Sequence, residues 1–532
     1  MSPEEDGASE AARAYHAATK HSVRSVRSSG HSLDWETKPL LYKIYPTLEP
    51  IRLPQDLPWP TRETLAVLRG GGPTVEENAE ALTLERLAAL LFFSAGVTKK
   101  KSSPGGEEIH FRAAASTGAL YEVEVYAVTG ELPGLAAGVY HFCPGDFALR
   151  RLRAGDFRQA LARAAAHEEI ARAPATLILT AIFWRNAWKY QARAYRHCYW
   201  DSGTMLANTL ATARAFGLPA RIVTGFADDD VDRLAGIDGE REGVLELVVL
   251  GPPGPPAPAS PATTPLDYEV IPLSKEEVDY PLLREMHAAS ALPSPEAVRA
   301  WRGHAPGPGT APGPTASSSS LAGWPLGDTI VRRGSTRRFA HEPIGLDHLL
   351  AILEHATGEI PVDYAEAGPC LVEEYLIVNA VDGLASGAYV YSRVERRLEL
   401  LKAGEFRAQA GFLCLEQELG ADASAVIFFL TDLGAVLRRY GNRGYRLANL
   451  EAGIVGGRAY LGAYALGLGA SGLTFYDDEV VRFFASRAEG KEAIFVTALG
   501  RAARGVGRPA LLKAEPTSWA ESAPRPRRER EG

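Results

Sequence analysis

The sequence predicts an α+β fold built twice in one chain. Two sets of repeats and one pattern lead there. Tyr195-Arg196 recurs as Tyr445-Arg446, Gly203 as Gly453, Gly217-Leu218 as Gly467-Leu468 and Asp228 as Asp478, each 250 residues on. Upstream, Gly138-Val139-Tyr140 recurs as Gly387-Ala388-Tyr389, and Ala154-Gly155-Asp156-Phe157 as Ala403-Gly404-Glu405-Phe406, at a spacing of 249. Within each copy, helical runs interleave with a few apolar, strand-like runs. A long-period repeat with two copies is not a solenoid, which stacks three or more short units. It is a fused pair of domains, each long enough to build a core.

The elements follow in order. The opening residues, MSPEEDGASEAARAYHAATK, are acidic and polar and lack the apolar centre of a signal peptide. Residues 15–54 are rich in aromatic, proline and basic residues without helical period, so residues 1–54 are expected to form an N-terminal extended arm. The first domain is placed at 55–251. In it LTLERLAALLFFSAG, from Leu82, predicts an amphipathic helix stopped by Gly96. Strands are expected at Tyr121–Val128 and Gly138–Phe142 across a Gly/Pro turn, and a buried one at Ala175–Phe183. Helices are expected near Gly155–His167 and over about Asp201–Phe216, with a last strand ending at Leu250-Gly251. Residues 252–327 carry two Pro/Gly/Ser-rich stretches and predict a linker region. The second domain is placed at 328–513, and 514–532, with its Arg525–Arg530 run, is expected to be a disordered tail.

Composition narrows the class. The chain is 46% apolar and 23% charged with a net charge of −8, and neither copy holds a long basic stretch. That argues against a nucleic-acid partner. No apolar run is long enough for a membrane-spanning helix. Cys143, Cys198, Cys370 and Cys414 show neither C-x-x-C spacing nor a nearby histidine cluster, so no disulfide framework and no metal site is expected. The expected location is the cytoplasm.

Four motifs bear on chemistry, and the first of them only superficially. Gly467-Leu468-Gly469-Ala470-Ser471-Gly472 satisfies G-x-G-x-x-G, but a helical run precedes it and an extended one follows, the reverse of a dinucleotide site. It reads as a helix C-cap. Arg332, Arg333, Ser335, Arg337 and Arg338 cluster before a helix, with Arg501 and Arg504 after the last strand. They form either a cradle for a phosphate dianion or a solvated basic turn. The equivalent stretch of the first copy, around Arg69-Gly70-Gly71-Gly72, keeps one arginine. Before a strand, Arg112 and Ala113–Tyr121 include Ser116, Thr117 and Gly118, small and polar residues that let a backbone approach a flat ligand or make a plain loop. In the second copy Ala365 stands for Ser116, Ala367 for Gly118 and Glu366 for Thr117. Finally, Lys189-Tyr190 offers two groups able to move protons if burial lowers their pKa values, or a surface charge beside a packing residue. Arg439-Tyr440 replaces them in the second copy, and a guanidinium stays protonated.

With these residues in view, the chain resembles the nitroreductase-like flavoproteins, specifically the SagB/ThcOx-type dehydrogenases. The resemblance rests on the lead-in TKHSVRSVRSSGHSLDW…KPLLYKIYP, S-x-G-x-L-Y at Ser116–Tyr121 and K-Y…R-x-Y-R at Lys189–Arg196. The second copy adds R-Y-G-x-R-G-Y-R-x-x-x-L-E-A-G at Arg439–Gly453 and G-L-G-A at Gly467–Ala470. It implies two nitroreductase-like domains fused as an intramolecular pseudo-dimer, monomeric or further associated, with FMN between them. By resemblance the FMN phosphate falls to Arg332, Arg333, Ser335, Arg337, Arg501 and Arg504. Arg112, Ser116, Thr117 and Gly118, with Gly469, Ala470, Ser471 and Gly472, would complete the cofactor site, and Lys189-Tyr190 would be the catalytic pair. The implied activity is FMN-dependent azoline (thiazoline or oxazoline) dehydrogenation of a modified peptide. NAD(P)H-dependent nitro or quinone reduction, or a non-catalytic scaffold beside a cyclodehydratase, are the alternatives. The family loop carries prolines flanking its Ser and Tyr where this chain has Ala115 and Glu122. Because the cradle persists in copy two and the loop in copy one, the expectation is one composite site and one FMN per chain.

Overall fold

The computed structural model describes residues 3–69, 80–102, 108–303, 321–365 and 370–503. The first domain holds a seven-stranded sheet in the order Pro50–Arg52, Ala148–Ala154, Gly138–Cys143, Val123–Thr129, Ala175–Ile182, Glu242–Leu250, Ala220–Val223. Every neighbouring pair is antiparallel. The second domain repeats it in six strands, Arg397–Ala403, Gly387–Ser392, Glu373–Val378, Ala425–Thr431, Glu492–Gly500 and Gly469–Gly472. The strand without a counterpart is Pro50–Arg52, supplied to the first sheet's edge by the lead-in.

Each domain contributes one long central helix, Ala194–Ala215 and Arg443–Ala465, and the two pack on each other. Both are buried nearly throughout, so neither shows an apolar stripe. They cross at Gly203 and Gly453, the pair 250 residues apart. A Cβ on Gly203 would lie 2.7 Å from the Gly453 Cα, and one on Gly453 would lie 2.5 Å from the Trp200 carbonyl oxygen. Only glycine at both positions lets the backbones meet. One apolar core runs through both domains, from Leu87 and Phe93 through Tyr195 and Leu206 to Tyr445, Leu461 and Phe495.

A reciprocal clasp locks the halves. Arg193 and Arg196 of the first domain donate to Asp477 of the second, at 3.0 and 2.7 Å. Arg443 and Arg446 of the second donate to Asp228 of the first, at 2.7 and 2.8 Å. All six side chains are buried.

Three expectations are revised. The lead-in opens as helix, Pro3–Ala18, with a short helix at Val23–Arg27, and is extended only after that. Ala12 and Tyr15, one turn apart on this helix, are fully buried. The region expected as linker contains helices at Pro281–Ala289 and Pro295–Gly303. The first is the counterpart of the N-terminal helix: Arg196 donates to the His16 carbonyl at 2.8 Å, and Arg446 to the His287 carbonyl at 2.9 Å. Tyr15-His16-Ala17-Ala18-Thr19 thus repeats as Met286-His287-Ala288-Ala289-Ser290, and the duplication reaches into the supposed linker. The long helix of the first domain begins at Ala194, not Asp201. The tail 514–532 lies outside the described residues.

Candidate functional site

The arginine turn of the second domain and the small-residue loop of the first meet. Arg333 donates to the carbonyls of Ala113, at 2.8 Å, and Arg112, at 3.1 Å. The turn is also tied to the strand Gly469–Gly472. The Thr336 N–H donates to the Ala470 carbonyl at 2.8 Å, and the Gly472 N–H donates to the Tyr460 hydroxyl. Burial holds the Tyr460 phenol above its ordinary value, against the opposing pull of Ser335 and Arg333 beside it. A Cβ on Gly469 would strike the Thr336 hydroxyl at 2.2 Å. The helix before this strand ends at Ala465 with Gly467 at φ 73°, so the glycine motif is a helix terminus leading into a strand.

The remaining expected phosphate ligands are placed unequally. Arg332 lies over the Trp324 ring at 4.1 Å. Arg337 is exposed, and its charge acts on Tyr190 across the junction. Arg501 donates to the Pro343 carbonyl at 3.1 Å. Arg504 lies outside the described residues. Arg112 turns out to be a buried brace: its guanidinium packs over Tyr42 and Tyr121, at 5.2 and 4.8 Å, and bonds the Leu41 carbonyl. Its backbone, not its charge, faces the junction.

In the loop, the Thr117 N–H and hydroxyl donate to Asp201 at 2.6 and 2.7 Å, and the Tyr121 N–H donates to the Ser116 hydroxyl at 2.9 Å. Gly118 has φ 65°, and a Cβ there would lie 2.9 Å from the Tyr190 hydroxyl. Ala119 and Tyr121 also have positive φ, 55° and 52°. Three such residues in four form a strained turn, of the kind that gathers at ligand clamps.

Lys189 and Tyr190 end the helix Phe183–Tyr190, and both are half-buried. The Lys189 ammonium lies 5.3 Å from the Tyr190 ring centroid, and His197 stands edge-on to that ring at 4.5 Å. Burial pushes the Tyr190 phenol up, Asp201 and Glu122 push further, and Arg337 opposes them. Burial therefore does not bring this tyrosine toward neutrality, because it disfavours the phenolate. At neutral pH Tyr190 is a proton donor. The next residue, Gln191, sits at φ 51°, ψ −144°, whereas its counterpart Gly441 takes φ 60°, ψ −157°.

Among the described residues, the pseudo-symmetric counterpart of this site is narrowed by an arginine. Arg458 stands where the first domain has Asn208, and it donates to the carbonyls of Gly358 and Glu359 at 2.8 and 2.9 Å. What is left between Leu68, Leu210, Arg214, Pro361 and Arg458 is a cavity of about 30 Å³, room for roughly one water. Arg439 lies over Tyr440 at 4.9 Å, as Lys189 lies over Tyr190, but Tyr440 packs against Tyr364 and Trp301. Of the second copy's loop, Ala365 is described and 366–369 are not; Gly70–Gly72 likewise fall outside the described residues.

Two domains of one α+β fold, clasped so that a single junction holds both a basic turn and a close-approach loop, define a fused pseudo-dimeric class. Residues 78–251 and 330–501 each match the Nitroreductase family. The chain belongs to that family, with its domain present twice. It is 29% identical over 163 residues to a putative nitroreductase of Methanocaldococcus jannaschii, covering 30% of this chain and 78% of that protein. It is 29% identical over 130 residues to the microcin B17-processing protein McbC of Escherichia coli, 23% of this chain and 47% of McbC. The solved structure of a putative nitroreductase from Anabaena variabilis matches with a TM-score of 0.71 and 28% identity, over 92% of this chain and 99% of its own. Among the described residues, no helix is long and apolar enough to cross a membrane, and no group of His, Cys, Asp and Glu could hold a metal.

Proposed function

We propose that this nitroreductase-family oxidoreductase binds one FMN per chain at the domain junction and dehydrogenates azoline rings in a modified peptide. The carrying observation is the contact of Arg333 with the Arg112 and Ala113 carbonyls, which sets the arginine turn against the loop over Tyr190. The donor set suits a phosphate-bearing flavin: Ser335 and Arg337, beside the strand Gly469–Gly472, for the phosphate, Ser116–Gly118 for the ring edge. When bound, FMN supplies the hydride acceptor; the protein supplies position and electrostatics. Lys189, as the neutral amine, would take the ring proton and become the ammonium, and Tyr190, held protonated, donates a hydrogen bond at the same face. Arg458, placed at the counterpart position in the second domain, supports a stoichiometry of one.

Similarity to McbC, a microcin B17-processing protein, supports a modified-peptide substrate; a cyclodehydratase partner is proposed with it. Denaturing the purified protein should release about one flavin per chain; none or two would overturn the reading. Lys189→Ala should stay yellow and lose turnover on an azoline peptide, and unchanged rates would remove Lys189 from the chemistry. The two putative nitroreductases favour a second reading, reduction of nitro compounds or quinones by NAD(P)H. Bleaching of the flavin by NADPH without any peptide would decide for it.

A further inference from the structure

Beneath the Ser116–Gly118 loop lie two carboxyl groups with no part in the mechanism above. Glu122 is fully buried and Asp201 is 5% exposed. Glu122 stands where the resemblance led one to expect a proline. The loop hangs from this pair: Thr117 donates twice to Asp201, and the Ser116 hydroxyl faces Glu122 Oε2 at 3.5 Å. Glu122 Oε1 has no hydrogen-bond partner among the described residues, and Asp201 and Asn186 are the side chains close enough to act on its carboxyl. The other groups around the pair are Asn186 and Tyr190 from the preceding helix and Cys198 from the central one.

Two ionised carboxylates cannot share a buried site, so one keeps its proton. Both oxygens of Asp201 already accept from Thr117, as an ionised carboxylate does, which leaves the proton on Glu122. Burial, with Asp201 beside it, pushes the Glu122 carboxyl well above its usual range, and burial raises Asp201 as well.

We propose that Glu122 and Asp201 share one proton and thereby clamp the Ser116–Gly118 loop against Tyr190. They are positioning residues, since neither touches the junction itself. The clamp gives the strained turn at Gly118, Ala119 and Tyr121 a fixed support. The loop's role toward flavin rests on the reading above; the shared proton does not.

Two measurements on the full chain test this. Glu122→Gln keeps the shape and a hydrogen-bond donor but cannot ionise. Wild type holds in the fold a proton that the unfolded chain releases above about pH 4.3, so its stability should fall, relative to Glu122→Gln, as pH rises. The thermal midpoint of wild type minus that of Glu122→Gln should therefore fall steadily from pH 5.5 to 9 (rough limits set by the carboxylate range); a constant difference overturns the shared proton. Asp201→Asn should weaken FMN binding by about tenfold or more, because an amide cannot accept both Thr117 bonds. If that variant fails to fold, Thr117→Val removes one of the bonds and gives the same readout. Equal FMN affinity in wild type and variant overturns the positioning role. If wild type binds no FMN, the flavin reading fails, while the thermal midpoints still decide the shared proton.

Discussion

Replacing Asp477 by alanine is the most direct way to ask whether the two domains are one cooperative body. Asp477 is fully buried and accepts from Arg196 at 2.7 Å, Arg193 at 3.0 Å and the His21 N–H at 2.8 Å. Burial alone would push its carboxyl up, but Arg193 and Arg196 outweigh that and hold it below the usual range. Removing it strands two guanidinium groups without a counter-charge, which costs about 3–5 kcal/mol. Against a typical total of about 5–15 kcal/mol, that is a large share. Urea unfolding followed by circular dichroism should show the midpoint falling accordingly, and Asp228→Ala should lose a similar amount from the opposite side. Wild-type stability from this carboxylate is present above an unfolded pKa of roughly 3.9 and disappears as pH falls through the lower folded value. The variant should therefore lack that part of the acid transition. A loss below about 1 kcal/mol, the range of an exposed ion pair, would refute the clasp.

Other outcomes follow from single residues. Gln191→Gly should stabilise the protein by about 1 kcal/mol, since Gln191 occupies a backbone region that is nearly glycine's alone; a melt unchanged or lowered would refute this. Gly118→Ala should destabilise by about 1 kcal/mol and weaken FMN binding, read by flavin fluorescence. Glu246 lies fully buried on the strand Glu242–Leu250, and burial lifts its carboxyl to about 8. Its folded form holds a proton that the unfolded chain releases, so its contribution fades between roughly pH 5 and 8. Glu246→Gln should flatten that decline in thermal midpoint.

Much of the fold is readable in the chain because repetition is visible without knowing any partner. The repeated glycines Gly203 and Gly453 fall at the helix crossing, and Gly467 falls at a helix end. What escapes are features whose reason lies elsewhere in the chain. Arg193 and Arg196 look like loop residues until Asp477, more than 280 positions away, neutralises them inside a helix. The strand Ala148–Ala154 carries three arginines and shows no apolar alternation. The shared Y/M-H-A-A-T/S segment repeats at 271 residues, an offset that differs from that of the rest and hides it. Arg112 offers a charge that suggests a ligand, whereas its burial against two tyrosines makes it a brace. Glu122 looks like a departure from pattern, and only its proximity to Asp201 gives it a role.

In an ordinary symmetric dimer every substitution is inherited by both halves at once. Joining the halves end to end removes that constraint, and Arg458 facing inward where its twin position holds Asn208 is the result. One pocket can be sealed for rigidity without cost to the other. Covalent tethering also makes assembly independent of dilution, so the surviving junction should persist at concentrations where two separate subunits would part.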